Sequence, residues 1–244
     1  MKREEIFQGL EHLRRGFLLI GIVVILLMLV LFQFSKTLLR HLYQANLKVD
    51  LIAFGVPETL LALLKLTLYA SLLLAIPFIF YRIWKAFAPL FRRRGLNADL
   101  SIYLSAILLF YLGAGFCYFV TLPYGVQFLL SYQSPHIRPM ISVGKYVSFC
   151  SFFVFGFGLT FELPLVLALL GSIRVVEAGF LTRNRRYAIL LIAIVSAVIT
   201  PTPDFFNMAL MGGPLYVLFE VGVILVNIIE RKRSQTERTA SGRD

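Results

Sequence analysis

From Tyr146 to Gly171 the chain reads YVSFCSFFVFGFGLTFELPLVLALLG, with Glu162 as its one charged side chain. A hydrocarbon layer about 30 Å thick is crossed by roughly 20 apolar helical residues. No water is available there to satisfy loose backbone groups, so the run must be a helix. Pro164 lacks the backbone donor that would reach back to Thr160, and predicts a bend just after the carboxylate. A charge at that depth costs roughly 3 kcal/mol unless something offsets it, and such groups usually face a bundle interior or a water-filled surface. Two readings of Glu162 stand open. It is a functional, proton-responsive group, or it is a structural acceptor for another side chain.

Five further apolar segments accompany this one, near Gly16–Phe34, Leu60–Ile83, Leu100–Leu122, Ala188–Thr200 and Met208–Ile229. The chain is 59% hydrophobic with a mean hydropathy of +0.81, whereas soluble domains are about 45–50% apolar. The fold class is therefore all-α and integral to the membrane, with six transmembrane helices in one domain over residues 1–229. Residues 230–244 read as a flexible polar tail. The first segment follows a basic start, but it is longer than a signal-peptide core and has no small-residue cleavage site before Lys36, so it reads as retained. The last two helices are expected to be short, joined by the tight turn Pro201-Thr202-Pro203-Asp204. No inverted repeat relates the halves, which argues against a conventional secondary transporter.

The net charge of +11 is spread unevenly. Only Lys36, Arg40, Lys48, Arg138 and Lys145 fall on one side of the six segments. Lys65 lies inside the second, and every other Lys and Arg falls on the opposite side. The positive-inside rule then places both termini in the cytoplasm. Charge collected at segment ends, with no stacking aromatics along a basic face, argues against nucleic acid. Cys117 and Cys150 sit in apolar runs and read as buried hydrophobes. His12, His41 and His136 lack metal-ligand spacing, and no glycine-lysine phosphate loop occurs. No metal, cofactor or catalytic constellation is expected, and the chain does not read as an enzyme.

Other polar residues have plainer readings. Glu220, in PLYVLFEVGV, fits a cross-helix pairing as well as a functional role. Lys65 lies near the outer end of the second helix, where its stem can snorkel. Glu58 precedes it by about two turns, so the two can share a face. Asp204 fits a helix N-cap. Pro77 and Pro214 shape helices, and Gly212-Gly213 permits close helix approach.

Taken in order, several short motifs resemble the TatC family of the twin-arginine protein translocase. Leu10-Glu11-His12-Leu13-Arg14-Arg15 is similar to the family's amphipathic HLEELR-type opening, and Pro57-Glu58 to its first outer-loop motif. Tyr81-Arg82-Ile83-Trp84 with Phe87-Ala88-Pro89-Leu90 resembles the stretch entering the first cytoplasmic loop. Phe157-Gly158-Leu159-Thr160-Phe161-Glu162-Leu163-Pro164 is similar to the core of the fourth helix. Thr200 to Asp204 and Leu218-Phe219-Glu220 resemble the last hairpin.

The resemblance implies a glove-shaped, concave bundle with both termini inside. It implies a receptor that binds twin-arginine signal peptides at the cytoplasmic face and moves folded proteins with the proton-motive force. TatA- and TatB-type single-helix proteins and membrane lipids would be its partners in an oligomeric complex. Glu11, Arg14, Arg94 and Asp99 would form the signal-binding surface. Glu162, Asp204, Met208 and Glu220 would form intramembrane polar or partner contacts, although many relatives carry glutamine at the Met208 position. Two departures stand out. The family's loop glutamate falls at Gly95, beside Arg92-Arg93-Arg94, and its opening glutamate is replaced by His12. Like charges repel a twin-arginine ligand, so altered signal recognition is expected, with Glu11 and Asp99 as the nearest carboxylates. A proton-coupled transporter of a small solute, using Glu162, is the alternative.

Overall fold

The computed structural model describes residues 3–46, 51–92, 99–131, 141–199 and 205–241. In chain order the elements are α1 (Arg3–Phe32), α2 (Ser35–Asn46), β1 (Leu51–Ile52), α3 (Val56–Arg92), α4 (Asp99–Phe116), a π-helical stretch (Cys117–Thr121), α5 (Leu122–Ser131), β2 (Ile141–Ser142), α6 (Val143–Phe161), α7 (Leu163–Ser172), α8 (Ala178–Arg183), α9 (Arg185–Ile199) and α10 (Phe205–Ser241). Among the described residues, four spans are long and apolar enough to cross a membrane: Pro57–Lys85, Leu100–Phe128, Val143–Ser172 and Met208–Lys232. The helices Gly16–Phe32 and Ser35–Tyr43 pass the same test only when taken together, and they are bent by 79° at the break between them. The remaining predicted segment is α9, whose 15 residues rise only about 22 Å.

The predicted segments are recovered, with informative differences at their ends. The first span stops at Phe32, where a turn at Gln33-Phe34 leads into α2. That helix is amphipathic, burying Ser35 and Leu42 while exposing Lys36, Arg40 and His41. The third span continues past Leu122, because the π-helical stretch absorbs a change of register without ending the helix. The fifth helix is short, as expected, but the sixth is not. α10 has 37 residues and runs on to Ser241, through the segment expected as a flexible tail. From Glu230 to Ser241 that stretch is rich in Glu, Gln, Lys and Arg, and no Gly or Pro interrupts it. Such residues favour helix.

The chain divides into two compact units. In the first, residues 1–107 and 117–156, α1 packs along α3 and α2 rests on α3 and α5. Gly16 of α1 is one crossing point, since a Cβ there would lie 3.4 Å from Arg82 Nη2. Buried hydroxyls of α3 turn back onto their own helix: Thr67 Oγ1 donates to the Leu63 and Leu64 carbonyls, and Ser71 Oγ to that of Leu68. Tyr118 and Tyr146 donate to the carbonyls of His41 and Leu42, anchoring the end of α2. β1 and β2 pair in parallel, Leu51 with Ile141 and Ile52 with Ser142.

In the second unit, residues 108–116 and 157–244, helices meet at glycines. A Cβ on Gly113 would lie 2.7 Å from the Phe157 carbonyl and 2.6 Å from the Phe161 ring. A Cβ on Gly158 would lie 2.7 Å from the Phe110 ring. Each glycine thus receives an aromatic from the opposing helix. Between α7 and α10, Gly171 faces Val226, and Gly222 faces Leu167 and Pro164. Gly212 admits Ser196 and Ile192 of α9, while Gly213 meets nothing within 4 Å. Lipid tails are as apolar as leucine, so van der Waals contact at small residues is what holds such helices together.

Candidate functional site

Glu162 occupies the one-residue break between α6 and α7. Its amide bonds back to the Leu159 carbonyl at 3.1 Å, a tighter turn than the α-helical one, while its carbonyl accepts from Val166 at 2.9 Å. Pro164 explains the break: its missing N–H leaves the ladder short there, and its ring is buried against Gly222 of α10. One carboxylate oxygen, Oε1, is buried with no hydrogen-bond partner among the described residues. Where a bend is expected just after this carboxylate, the helix breaks for one residue, and α6 and α7 still form the single span Val143–Ser172. The chain places an acceptor in an apolar span and leaves one of its oxygens unused.

Glu220 is differently placed. Arg185, the first residue of α9, reaches it across the helix pair at 2.9 Å, and Tyr216 one turn earlier donates to its other oxygen at 3.0 Å. The carboxylate is therefore level with the polar start of α9. Of the two readings left open for Glu220, the structure supplies the cross-helix pairing, with Arg185 as its partner, and Tyr216 of the same helix adds a second hydrogen bond. Ten residues further along α10, Glu230 accepts from the Ala178 N–H at 2.9 Å and so caps α8. Glu177, the residue in the N-cap position, makes no such side-chain bond. Glu230 and Arg185 were not singled out by sequence, since nothing local marks a partner so far along the chain.

The Pro57-Glu58 motif starts α3 and also closes the loop ahead of it. Glu58 Oε2 accepts from the Phe54 N–H at 2.7 Å, the half of a capping box in which an acidic side chain reaches back to an amide ahead of its helix. Its Oε1 accepts from the Ser142 hydroxyl and from the Gly144 N–H at 3.2 Å. Ser142 is the N-cap of α6, its oxygen accepting from the Lys145 N–H at 3.2 Å. One carboxylate thus serves two helix starts and secures the small β1–β2 sheet. A Cβ added at Gly144 would lie 3.2 Å from Glu58 Oε1, so a larger residue there would need the carboxylate to shift. A serine just ahead of an apolar run is a helix-start signal that could have flagged Ser142. Lys65 does not meet Glu58; its ammonium donates to Ser148 of α6 at 3.3 Å.

Of the remaining predicted site residues, Glu11 and Arg14 lie on α1, Asp99 opens α4, and Met208 lies in the first turn of α10. Arg94, Gly95 and Asp204 lie outside the described residues.

The chain matches the family model described as Sec-independent protein translocase protein (TatC) over residues 8–214. It is 32% identical over 235 residues to the Sec-independent protein translocase protein TatC of Carboxydothermus hydrogenoformans, covering 96% of this chain and 97% of that one. It is 33% identical over 237 residues to the protein of the same name from Aquifex aeolicus, covering 93% and 98%. Among solved structures, a crystal structure of the twin-arginine translocase receptor TatC superposes with a TM-score of 0.77 at 30% identity, covering 91% of this chain and 99% of that one. A second, of the same receptor in the detergent DDM, gives 0.77 at 32% identity, covering 89% and 98%. These relatives are named as components of a protein translocase, a setting that displaces the small-solute transporter. The chain is a multi-pass membrane protein of protein transport and a component of the Tat translocase complex, for it belongs to the TatC family.

Proposed function

We propose that the protein is the receptor and core subunit of a twin-arginine translocase, with both termini cytoplasmic in a bacterial inner membrane. It binds twin-arginine signal peptides at its cytoplasmic face and passes folded proteins across using the proton-motive force. TatA- and TatB-type single-helix proteins join it in an oligomeric complex. The observation that carries this reading is the correspondence with a solved TatC receptor along 91% of the chain. Glu162 supports it further, because a carboxylate set at a helix break inside an apolar span is costly and is ordinarily kept for a function. Asp204 and Met208, at the head of the last helix, are assigned to the same partner-binding role.

The signal-binding surface is assigned to Glu11, Arg14, Arg94 and Asp99, and its recognition is altered relative to the family. A guanidinium pair is held best by bidentate carboxylates, and Gly95 supplies none where the family has glutamate. Arg92, Arg93 and Arg94 add repulsion. The test is export complementation in a cell lacking its own TatC, with and without Gly95→Glu. Export of a twin-arginine cargo, improved by the substitution, is the expected result. No export from either form, with both proteins present in the membrane, counts against the receptor reading. Arginine-dependent photocrosslinks from a signal peptide to residues 92–99 of the unmodified protein, absent for a twin-lysine peptide, would sink the claim of altered recognition.

A further inference from the structure

Lys65 is an exposed cation within the apolar span Pro57–Lys85. It sits seven residues beyond Glu58, about 10 Å along the helix axis. Ionisable groups inside a membrane ordinarily turn toward a bundle interior. This one does the reverse. On α3 the exposed residues Leu61, Lys65 and Leu68 recur at helical spacing, so the lysine belongs to an apolar stripe on the outside of its unit. On α6 the residue one turn beyond Ser148 is Phe152, which is also exposed.

Among the described residues Lys65 has one polar partner, the Ser148 hydroxyl at 3.3 Å. That hydroxyl donates in turn to the Gly144 carbonyl at 2.8 Å. Ser148 is thus oriented with its oxygen lone pairs toward the ammonium, but it brings no counter-charge. Glu58, the described carboxylate at this end of the unit, has both oxygens committed to Phe54, Ser142 and Gly144. Lys145, exposed and one turn before Ser148 on the same face of α6, adds a second positive charge, answered in part by the Glu58 carboxylate nearby, whereas Lys65 has no such counter-charge among the described residues. An ammonium carries three donors, so two remain for another ligand. The depth suits a side chain that snorkels toward the phosphate layer.

We propose that the α3–α6 face around Lys65, Ser148 and Lys145 is a binding site for the phosphodiester of an anionic phospholipid. Lys65 supplies the principal charge, with Lys145 nearer the headgroup. Leu61, Leu68 and Phe152 lie against the acyl chains. The lipid provides the anion that the protein withholds, and its chains cover the stripe that holds the lysine.

Native mass spectrometry of the purified protein, titrated with phosphatidylglycerol or phosphatidylcholine, tests this directly. Lys65→Met is expected to weaken the first phosphatidylglycerol about fivefold, the contribution of one lysine near a charged lipid surface. Lys65→Arg keeps the charge and should stay within about twofold of the unmodified protein, which separates charge loss from misfolding. Phosphatidylcholine binding should not distinguish the three forms. Excess inorganic phosphate should leave phosphatidylglycerol bound, because it lacks chains to occupy the stripe. Its complete displacement by phosphate would make this a free-anion site and overturn the lipid assignment. Equal phosphatidylglycerol retention by Lys65→Met and the unmodified protein would also overturn it.

Discussion

Arg185 Nη2 lies 2.9 Å from Glu220 Oε2, tying the first residue of α9 to a point 35 residues further along the chain. The short fifth helix is thereby pinned to the long sixth at one level, and at another it comes close enough that a Cβ on Gly212 would lie 3.3 Å from Ser196 Oγ. Side-chain exposures of 46% and 25% limit what the pair contributes. Solvent-exposed pairs give about 0.2–1 kcal/mol. A double-mutant cycle with Arg185→Met and Glu220→Gln is expected to show a coupling in that range, decreasing as salt is raised. Thermal unfolding in detergent measures it. Strict additivity would mean that the pair does not hold the hairpin.

Glu58→Ala removes the acceptor from three donors at once: the Phe54 and Gly144 amides and the Ser142 hydroxyl. Leaving buried donors unsatisfied costs about 1–3 kcal/mol each, but the Phe54 amide is exposed and can turn to water. The expected loss is therefore about 2–3 kcal/mol in all. Ser142→Ala, which removes an N-cap and one of the three donors, should cost about 1 kcal/mol. Hydrogen exchange is the more specific measurement. Protection at Gly144 should fall well before that of residues in the middle of α6.

Gly113 and Gly158 invite opposite treatment from Gly115, which is open to 4 Å. Adding a methyl to Gly113 drives it into the Phe157 carbonyl, a backbone atom that moves only with its helix. Gly113→Ala is expected to destabilise by about 1–3 kcal/mol, as overpacking generally does. Gly158→Ala should behave similarly, because the Phe110 ring it meets is fully buried. Gly115→Ala should be neutral or stabilising by up to about 1 kcal/mol from helix propensity. Unfolding midpoints of the three variants, compared in one detergent, check the ordering.

Glu162→Leu separates the two readings of the buried carboxylate. The unused oxygen is a net cost to the isolated chain, so an apolar side chain of similar size is expected to raise stability by about 1–3 kcal/mol. Under the proposed function, export should nevertheless fall, the usual trade between stability and activity. Thermal unfolding and cargo export in the same cells measure both. A variant that loses stability and export together would assign Glu162 to structure alone.

What could be read from the sequence follows the reach of each physical signal. Apolar runs and the Pro164 break are local, and both are present where the residues place them. The early end of the first span at Phe32 was harder to see, because Phe34, Leu38 and Leu39 prolong the apolar impression while belonging to a turn and an amphipathic surface helix. The length of α10 was missed because hydropathy reports lipid contact, whereas the helix continues on the propensity of charged residues. Glu58, Glu162 and Glu220 stood out as lone carboxylates. Their partners Ser142, Gly144 and Arg185 did not, since pairing across 35 or 84 positions leaves no trace in spacing. The signal-binding residues rest on motif resemblance, and Arg94 and Gly95 fall outside the described residues.

The two-residue parallel sheet has a consequence for the order in which the chain is made. Leu51 waits for Ile141, and Glu58 waits for Ser142, 84 positions later. Until two more apolar segments have entered the bilayer, Glu58 has only the Phe54 amide to bind. Closing so long a loop from a free chain carries an entropic penalty that membrane-held helices largely remove. The clasp at Glu58 therefore forms late in biogenesis, and its closure marks a chain whose first three segments have been threaded in the correct sense.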